Sequence, residues 1–144
     1  MVSINRTEDD DLQHVVSLLH ESALPTEGVA EHFENYFVAK DAATIVGCAG
    51  LEIFDDVGLI RSVAVLMSHR GQGIGRKLVE TIHNFSVEKG LKEIYLLTET
   101  AEDYFSNFEY TIIPREEANP KVKKSIEFIS ACPASAVCMV KKLN

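Results

Sequence analysis

A chain of 144 residues with 46% hydrophobic and 25% charged residues has the composition of a single globular domain, residues 1–144, that buries a core without a disulfide or structural metal; a disordered or fibrous chain is excluded. Twenty-two acidic against 14 basic residues leave a formal net charge of -8, which excludes binding that depends on neutralising a phosphate backbone, so nucleic acid is not an expected partner. The cysteines Cys48, Cys132 and Cys138 match neither zinc spacing nor a disulfide framework, and the chain has no signal-peptide start and no apolar run of about 18 residues; a cytoplasmic protein with no membrane partner is expected.

Val2 to Arg6 reads as a short strand. Thr7, with Asp10 three residues on, reads as a helix start, followed by Leu12, Val15, Val16 and Leu19 at helical spacing. Leu24-Pro25-Thr26-Glu27-Gly28 breaks that helix, and a short second one follows from about Val29 to Asn35. Tyr36 to Lys40, Thr44 to Phe54 and Leu59 to Leu66 are β-rich runs separated by short turns, an antiparallel meander. Ile74, Leu78, Ile82 and Phe85 then form an amphipathic stripe that stops at Lys89-Gly90. Glu93 to Thr98 is a strand of buried type, so Leu59 to Thr98 is a strand-helix-strand unit with a parallel pair. Ala101 to Phe108 reads as a helix and Tyr110 to Ile113 as a strand; a helical segment then precedes a last strand from Ala136 to Leu143. The fold class is α+β, three-layered, with a mixed and mostly antiparallel central sheet.

In Arg70-Gly71-Gln72-Gly73-Ile74-Gly75, small residues leave a strand and open a helix, so successive backbone amides point outward unobstructed. The helix dipole and the flanking Arg70 and Arg76 favour an anion such as a phosphate there. Two nucleotide motifs fail. A dinucleotide-binding turn needs a third glycine where Arg76 stands, and a P-loop needs Gly-Lys followed by Ser or Thr.

The segment from Arg61 to Gly75, an apolar strand ending Val63-Ala64-Val65 and then R-x-x-G-x-G into a helix, resembles the motif of the GNAT superfamily of N-acetyltransferases. The order of elements agrees over nearly the whole chain. That resemblance implies acetyl-coenzyme A as acetyl donor, with the backbone of Val63, Ala64 and Val65 along its pantetheine arm and Arg70, Gly71, Gln72, Gly73, Ile74, Gly75 and Arg76 around its pyrophosphate. It also implies a cleft where the strands ending at Val65 and Leu97 part, direct transfer without a metal, and, since family members frequently pair, a homodimer. Leu24 to Val29, Leu59 to Val65 and Cys132 to Ala136 further resemble a subgroup named for arsenic resistance, which implies a small-molecule amine acceptor, amino-acid-like or organoarsenical.

The family pattern commonly has an Asn after the strand that follows the helix, and seven residues later a Tyr that protonates the departing thiolate. Here those places hold Thr98 and Phe105, which stay cofactor-side positions without the usual acid. Tyr104 is adjacent, but one helical step turns a side chain by about 100°, so packing of Tyr104 and Phe105 onto the sheet competes with a catalytic phenol. Glu52 and Glu99 are the carboxylates placed to draw a proton from the amine, each with a solvated surface charge as its alternative. Arg61 inside an apolar strand needs a partner: Glu52 across the meander, or an acceptor anion, with Ser62 beside it. Thr26 and Glu27 are the polar acceptor-side candidates on the loop from Leu24 to Gly28. Cys132 before Pro133 is a reactive thiol or, like Cys48 and Cys138, a small packed side chain. The five histidines lack metal spacing. Two other functions stay open: a sensor that binds acetyl-coenzyme A without turnover, and acetylation of a protein N-terminus or lysine.

Overall fold

The computed structural model describes residues 2–143. Seven strands form one sheet: β1 (Val2–Arg6), β2 (Tyr36–Asp41), β3 (Thr44–Phe54), β4 (Val57–Val65), β5 (Glu93–Thr98), β6 (Thr111–Ile113) and β7 (Val137–Lys142), in the spatial order β1-β2-β3-β4-β5-β7-β6. Every pairing is antiparallel except β4 with β5, which is parallel. The helices are α1 (Leu12–Glu21), α2 (Ile74–Glu88) and α3 (Glu102–Ser106). Among the described residues no helix is long and apolar enough to cross a membrane.

Strand alternation distributes the core over both faces of the sheet. On one face, Ile74, Leu78, Ile82 and Phe85 of α2 pack with Leu51, Ile60, Ile94, Leu96 and Met139. The opposite face is covered in two pieces: Val15 and Leu19 of α1 with Val29 and Phe33 lie over Val38 and Cys48, and Ala118 and Val122 of the connection before β7 lie over Leu59, Tyr95 and Val140. The three layers expected from the sequence are present.

Several boundaries differ from expectation, each for a local reason. Thr7 does not cap the first helix, because its hydroxyl donates to the Phe33 carbonyl at 2.7 Å. Asp11 accepts instead from the Glu8 amide at 2.8 Å and pairs with Lys40 at 3.3 Å, fixing a 3-10 turn at Asp9–Asp11 ahead of α1. The short second helix expected from about Val29 to Asn35 is present as a 3-10 helix, Ala30–Asn35, whereas the helical segment before β7 is three short turns, the last a π-turn at Glu127–Ala131.

One irregularity governs the cleft. Between β3 and β4 the register steps from Cys48 opposite Ala64 to Gly50 opposite Arg61, an extra residue on β4. Ser62 there adopts φ 61, a left-handed conformation that favours glycine. Such a bulge breaks the two-residue alternation, so Arg61 and Ser62 both turn away from α2. Arg61 reaches Glu52 at 2.8 Å and Ser62 Oγ lies 2.8 Å from Tyr36 Oη, both partners in buried positions.

Candidate active site

The parallel register of β4 and β5 sets Val57 opposite Glu93, Gly58 opposite Ile94 and Leu59 opposite Tyr95, and goes no further. Beyond it the two strands separate. A cleft of about 960 Å³ fills the gap, lined by Ile60–Val65 of β4, residues 96–101, most of the glycine turn, Ser22–Pro25 and part of the segment before β7. A strand whose neighbour has left presents amides and carbonyls to any extended ligand laid beside it.

At the glycine-turn end, Gly71 and Gly73 have φ +81 and +80, and a Cβ on either would meet nothing within 4 Å. Both glycines therefore border open space beside the cleft they line. The first bond that closes α2 runs from the Lys77 amide to the Gly73 carbonyl at 3.1 Å, so the amides just before Lys77 precede the first closed helical turn. Arg70 Nε donates to the Val65 carbonyl at 3.0 Å, holding its guanidinium at the end of β4. The Arg76 guanidinium lies over the Phe108 ring, 5.0 Å from its centroid. His69, which also lines the cleft, has Nε2 at 3.0 Å from Asp41 Oδ2, and this hydrogen bond holds the Asp41 carboxyl below its usual range. The arrangement fits a pyrophosphate by its open amides and its adjacent cations.

Most of the expected donor-side positions line this cleft: Val63, Ala64, Val65, Arg70, Gly71, Gly73, Ile74, Gly75, Arg76, Thr98 and Phe105. Gln72 is exposed and does not. Thr98 Oγ1 accepts from the Ala101 amide at 2.9 Å, which fixes the turn between β5 and α3. Phe105 is buried in the core, its ring edge-on to Tyr104 at 5.2 Å between centroids.

Tyr104 also lines the cleft, but its hydroxyl lies 3.2 Å from where a Cβ on Gly75 would stand, with Val65 nearby. That places the phenol at the Val65 end of β4, not beside Leu59 where the strands part. Burial pushes the Tyr104 hydroxyl upward, against a lowering by Arg76, which makes it a weaker proton donor than an ordinary tyrosine.

The acceptor-side expectations fare differently. Glu52 is fully buried and away from the cleft wall, its two oxygens taken by Arg61 Nη1 at 2.8 Å and Ser125 Oγ at 2.5 Å. A base must meet the amine, so this placement does not suit Glu52. Glu99 is exposed and does line the cleft. Thr26 and Glu27 do not line it; the stretch that does is Ser22–Pro25. Arg61 is the structural pair the sequence allowed: its side chain is wholly buried between Glu52 at 2.8 Å and Glu127 at 3.0 Å, and it donates to the Pro25 carbonyl at 3.2 Å. Two carboxylates already surround it, which leaves no charge for an acceptor anion.

Glu127 was not foreseen. It lies in a stretch without periodicity, and only its three-dimensional proximity to Arg61 gives it away. Burial raises its carboxyl, with Arg61 acting in the opposite direction. Burial, followed by the charge of Glu127, pushes the Cys132 thiol up to about 12, so Cys132 is an inert proton donor and not a reactive thiolate. Cys48 and Cys138 are buried in the core, as small apolar side chains would be. Among the described residues no group of three or more His, Cys, Asp or Glu side chains is arranged to hold a metal ion.

Residues 5–107 match the model of the Acetyltransferase (GNAT) family. An uncharacterised N-acetyltransferase of Chlorobaculum tepidum is 32% identical over 122 residues, covering 81% of this chain and 76% of that one. Among solved structures, N-acetylglutamate synthase from Neisseria gonorrhoeae, complexed with coenzyme A and N-acetyl-glutamate, superposes with a TM-score of 0.84 at 20% identity over 100% of this chain. The present chain corresponds to only 35% of that enzyme. A Mycobacterium tuberculosis protein in complex with CoA and NLQ gives a TM-score of 0.84 at 22% identity, with 99% of both chains covered. With the open glycine turn and the parted strands, these likenesses establish that the chain belongs to the GNAT acetyltransferase family and is an acetyl-CoA-dependent N-acetyltransferase.

Proposed function

We propose that residues 1–144 act as one domain that acetylates the amine of a small, amino-acid-like molecule by direct transfer in the reducing cytoplasm. The observation that carries this reading is the parting of β4 and β5 after Leu59 and Tyr95, which opens one continuous cleft from the glycine turn to the Arg61 cluster. The amides around Gly71 and Gly73, with Arg70 and Arg76, hold the donor's pyrophosphate. The edge of β4 from Val63 to Val65, which β5 leaves unpaired, takes its extended arm. When bound, acetyl-CoA supplies an acyl group activated as a thioester; the protein's part is to place an amine against it and exclude water.

Ser22–Pro25 and Cys132–Pro133 line the cleft in addition to the sheet, and walls drawn from these loops favour a compact acceptor over a protein tail. The N-acetyl-glutamate bound by the gonococcal synthase puts amino acids first among candidates. Organoarsenical amines follow, from the resemblance of residues 24–29, 59–65 and 132–136 to the arsenic-resistance subgroup. The test is release of free thiol from acetyl-CoA across a panel of both, with products identified by mass spectrometry. Turnover of at least one small amine is expected. Thermal stabilisation by acetyl-CoA with no turnover across the panel would overturn the reading in favour of a sensor.

A further inference from the structure

The acceptor end of the cleft contains a buried charge cluster with one cation and two carboxylates. Arg61 is 4% exposed, Glu52 0% and Glu127 4%, so with both acids ionised the cluster carries an excess negative charge. The carboxylates are not equivalent. Glu52 accepts from Arg61 on one oxygen and from Ser125 on the other, and does not reach the cleft. Glu127 forms part of the cleft wall. Its Oε2 lies 3.0 Å from Arg61 Nε, yet that N–H has no aligned hydrogen-bond acceptor, so the contact is an ion pair without a formed hydrogen bond, and the carboxylate also accepts from the Cys132 thiol.

The backbone around Glu127 is built to hold it there. It opens the π-turn Glu127–Ala131, a wide-turn geometry frequent at functional sites. Its amide donates to Ser125 Oγ at 3.1 Å, and the same hydroxyl donates to Glu52. Arg115 clamps the segment from outside through the carbonyls of Phe128 at 3.2 Å and Pro133 at 2.9 Å.

We infer that Glu127 is the catalytic carboxylate of this acetyltransferase, receiving the acceptor as an ammonium ion and taking a proton from it. The inference rests on the reading of the cleft's far end as the acceptor site. One N–H bond of the ammonium breaks and an O–H bond forms on Glu127, with the electron pair left on nitrogen. That pair forms the C–N bond to the thioester carbonyl carbon, and the C–S pair departs on sulfur. Of the two protons still on nitrogen, one goes to sulfur and one stays on the amide. One ammonium, one carboxylate and one thioester thus give one amide, one thiol and one carboxylic acid, with charge conserved.

The electrostatic setting has the required sign. Facing Glu127 are Arg61 from β4, Glu52 from β3, Glu27 from the loop after α1 and Cys132 from its own segment. Burial, with both glutamates adding to it, raises the Glu127 carboxyl, and a raised carboxyl is a stronger proton acceptor once ionised. The same excess negative charge that raises it attracts an ammonium ion.

The experiment measures kcat/KM for thiol release from pH 5 to 10 with two primary amines whose own pKa values differ by about two units, in wild type and Glu127→Gln. A base on the enzyme gives an acid limb at the same pH for both amines, and a basic limb that follows each amine. Glu127→Gln is expected to lose at least about 100-fold at neutral pH and to lose the shared acid limb. Acetyl-CoA affinity by calorimetry should stay within about twofold and Tm should be maintained, because Glu52 and Arg61 remain a neutral pair. An acid limb that tracks each amine's own pKa overturns the inference from wild type alone, whether or not the variant folds. So does unchanged kcat/KM in a folded Glu127→Gln. Turnover in wild type with either of these results leaves the acetyl-transfer reading standing; no turnover of any amine by wild type removes both.

Discussion

Replacing Arg61 by Met keeps most of the stem and removes the charge, leaving Glu52 and Glu127 buried against each other with no cation. Breaking a buried pair by removing one partner costs about 3–5 kcal/mol. A ceiling comes from protonation, because the folded protein can neutralise one carboxyl instead of burying its charge. Starting from an ordinary glutamate pKa near 4.3, each pH unit costs about 1.4 kcal/mol, so one proton costs about 3.7 kcal/mol at pH 7 and about 1 kcal/mol at pH 5. The sign follows. A carboxyl whose folded pKa is raised binds more protons folded than unfolded, so its contribution is fully present below the unfolded pKa and is lost as pH rises toward the folded one. Wild-type Glu127, itself raised, has the same sign, with Arg61 opposing the shift. At about 3 °C per kcal/mol for a domain of this size, Arg61→Met is expected to melt about 11 °C below wild type at pH 7 and about 3 °C below at pH 5. Differential scanning calorimetry at both pH values checks this. A gap of equal size at the two pH values, or one under about 3 °C at pH 7, refutes the account of Arg61 as the neutralising centre of a buried cluster.

Three further outcomes follow from single atoms. Gly50→Ala would set a Cβ 2.1 Å from Tyr36 Cζ; since that ring is fully buried and bonded to Ser62, a loss of about 1–3 kcal/mol is expected in urea unfolding, and wild-type stability would contradict the packing described. Gly73→Ala meets no atom, but its φ of +80 costs an alanine about 1–2 kcal/mol, so calorimetry should show a fall in acetyl-CoA affinity of about tenfold as the turn relaxes; unchanged affinity would remove the turn from donor binding. Cys132, with its thiol raised to about 12, should remain unmodified by iodoacetamide at pH 8 under conditions that alkylate an ordinary exposed cysteine, as followed by mass spectrometry, and rapid labelling would contradict its pairing with Glu127.

Periodicity and turn chemistry made much of the fold legible. The α2 stripe and its Gly90 stop, the meander, and the parallel unit from β4 to β5 all rest on local patterns that tertiary packing reinforces. The Arg61–Glu52 pair was legible for a different reason: a cation in an apolar strand must be neutralised, and the neighbouring strand offers one acid at the right depth. Thr7 misled because its hydroxyl found the Phe33 carbonyl, a partner 26 residues away that no capping pattern contains. Glu127 was invisible because no hydrophobic period runs through the segment before β7. That segment is held by Arg115 bonding to carbonyls and by Ser125 reaching Glu52, contacts defined only after the chain has closed. The bulge at Ser62 left no mark either, since serine is an ordinary strand residue and its left-handed φ is imposed by the register on β3.

That bulge has a consequence for how two substrates of opposite charge share one cleft. On the proposed reading the donor, a polyanion, needs cations and bare amides, and it finds them at Arg70, Arg76 and the glycine turn on the α2 side. The amine arrives as a cation and needs the reverse. A strand with strict alternation would turn Arg61 and Ser62 to opposite faces and so bring one polar group toward the donor side. Because the bulge sends both away from α2, the buried cluster with its extra carboxylate lies wholly on the acceptor side, and the apolar side chains of Ile60 and Leu96, which pack with α2, line the passage between. In a chain of net charge -8, the basic end is the exception, and it stands where a phosphate is to bind; the acidic end needs only one carboxylate more than its cation to favour an ammonium. Each substrate is thereby repelled from the other's end, so the same few charges that bind donor and acceptor also fix the direction in which the amine meets the thioester.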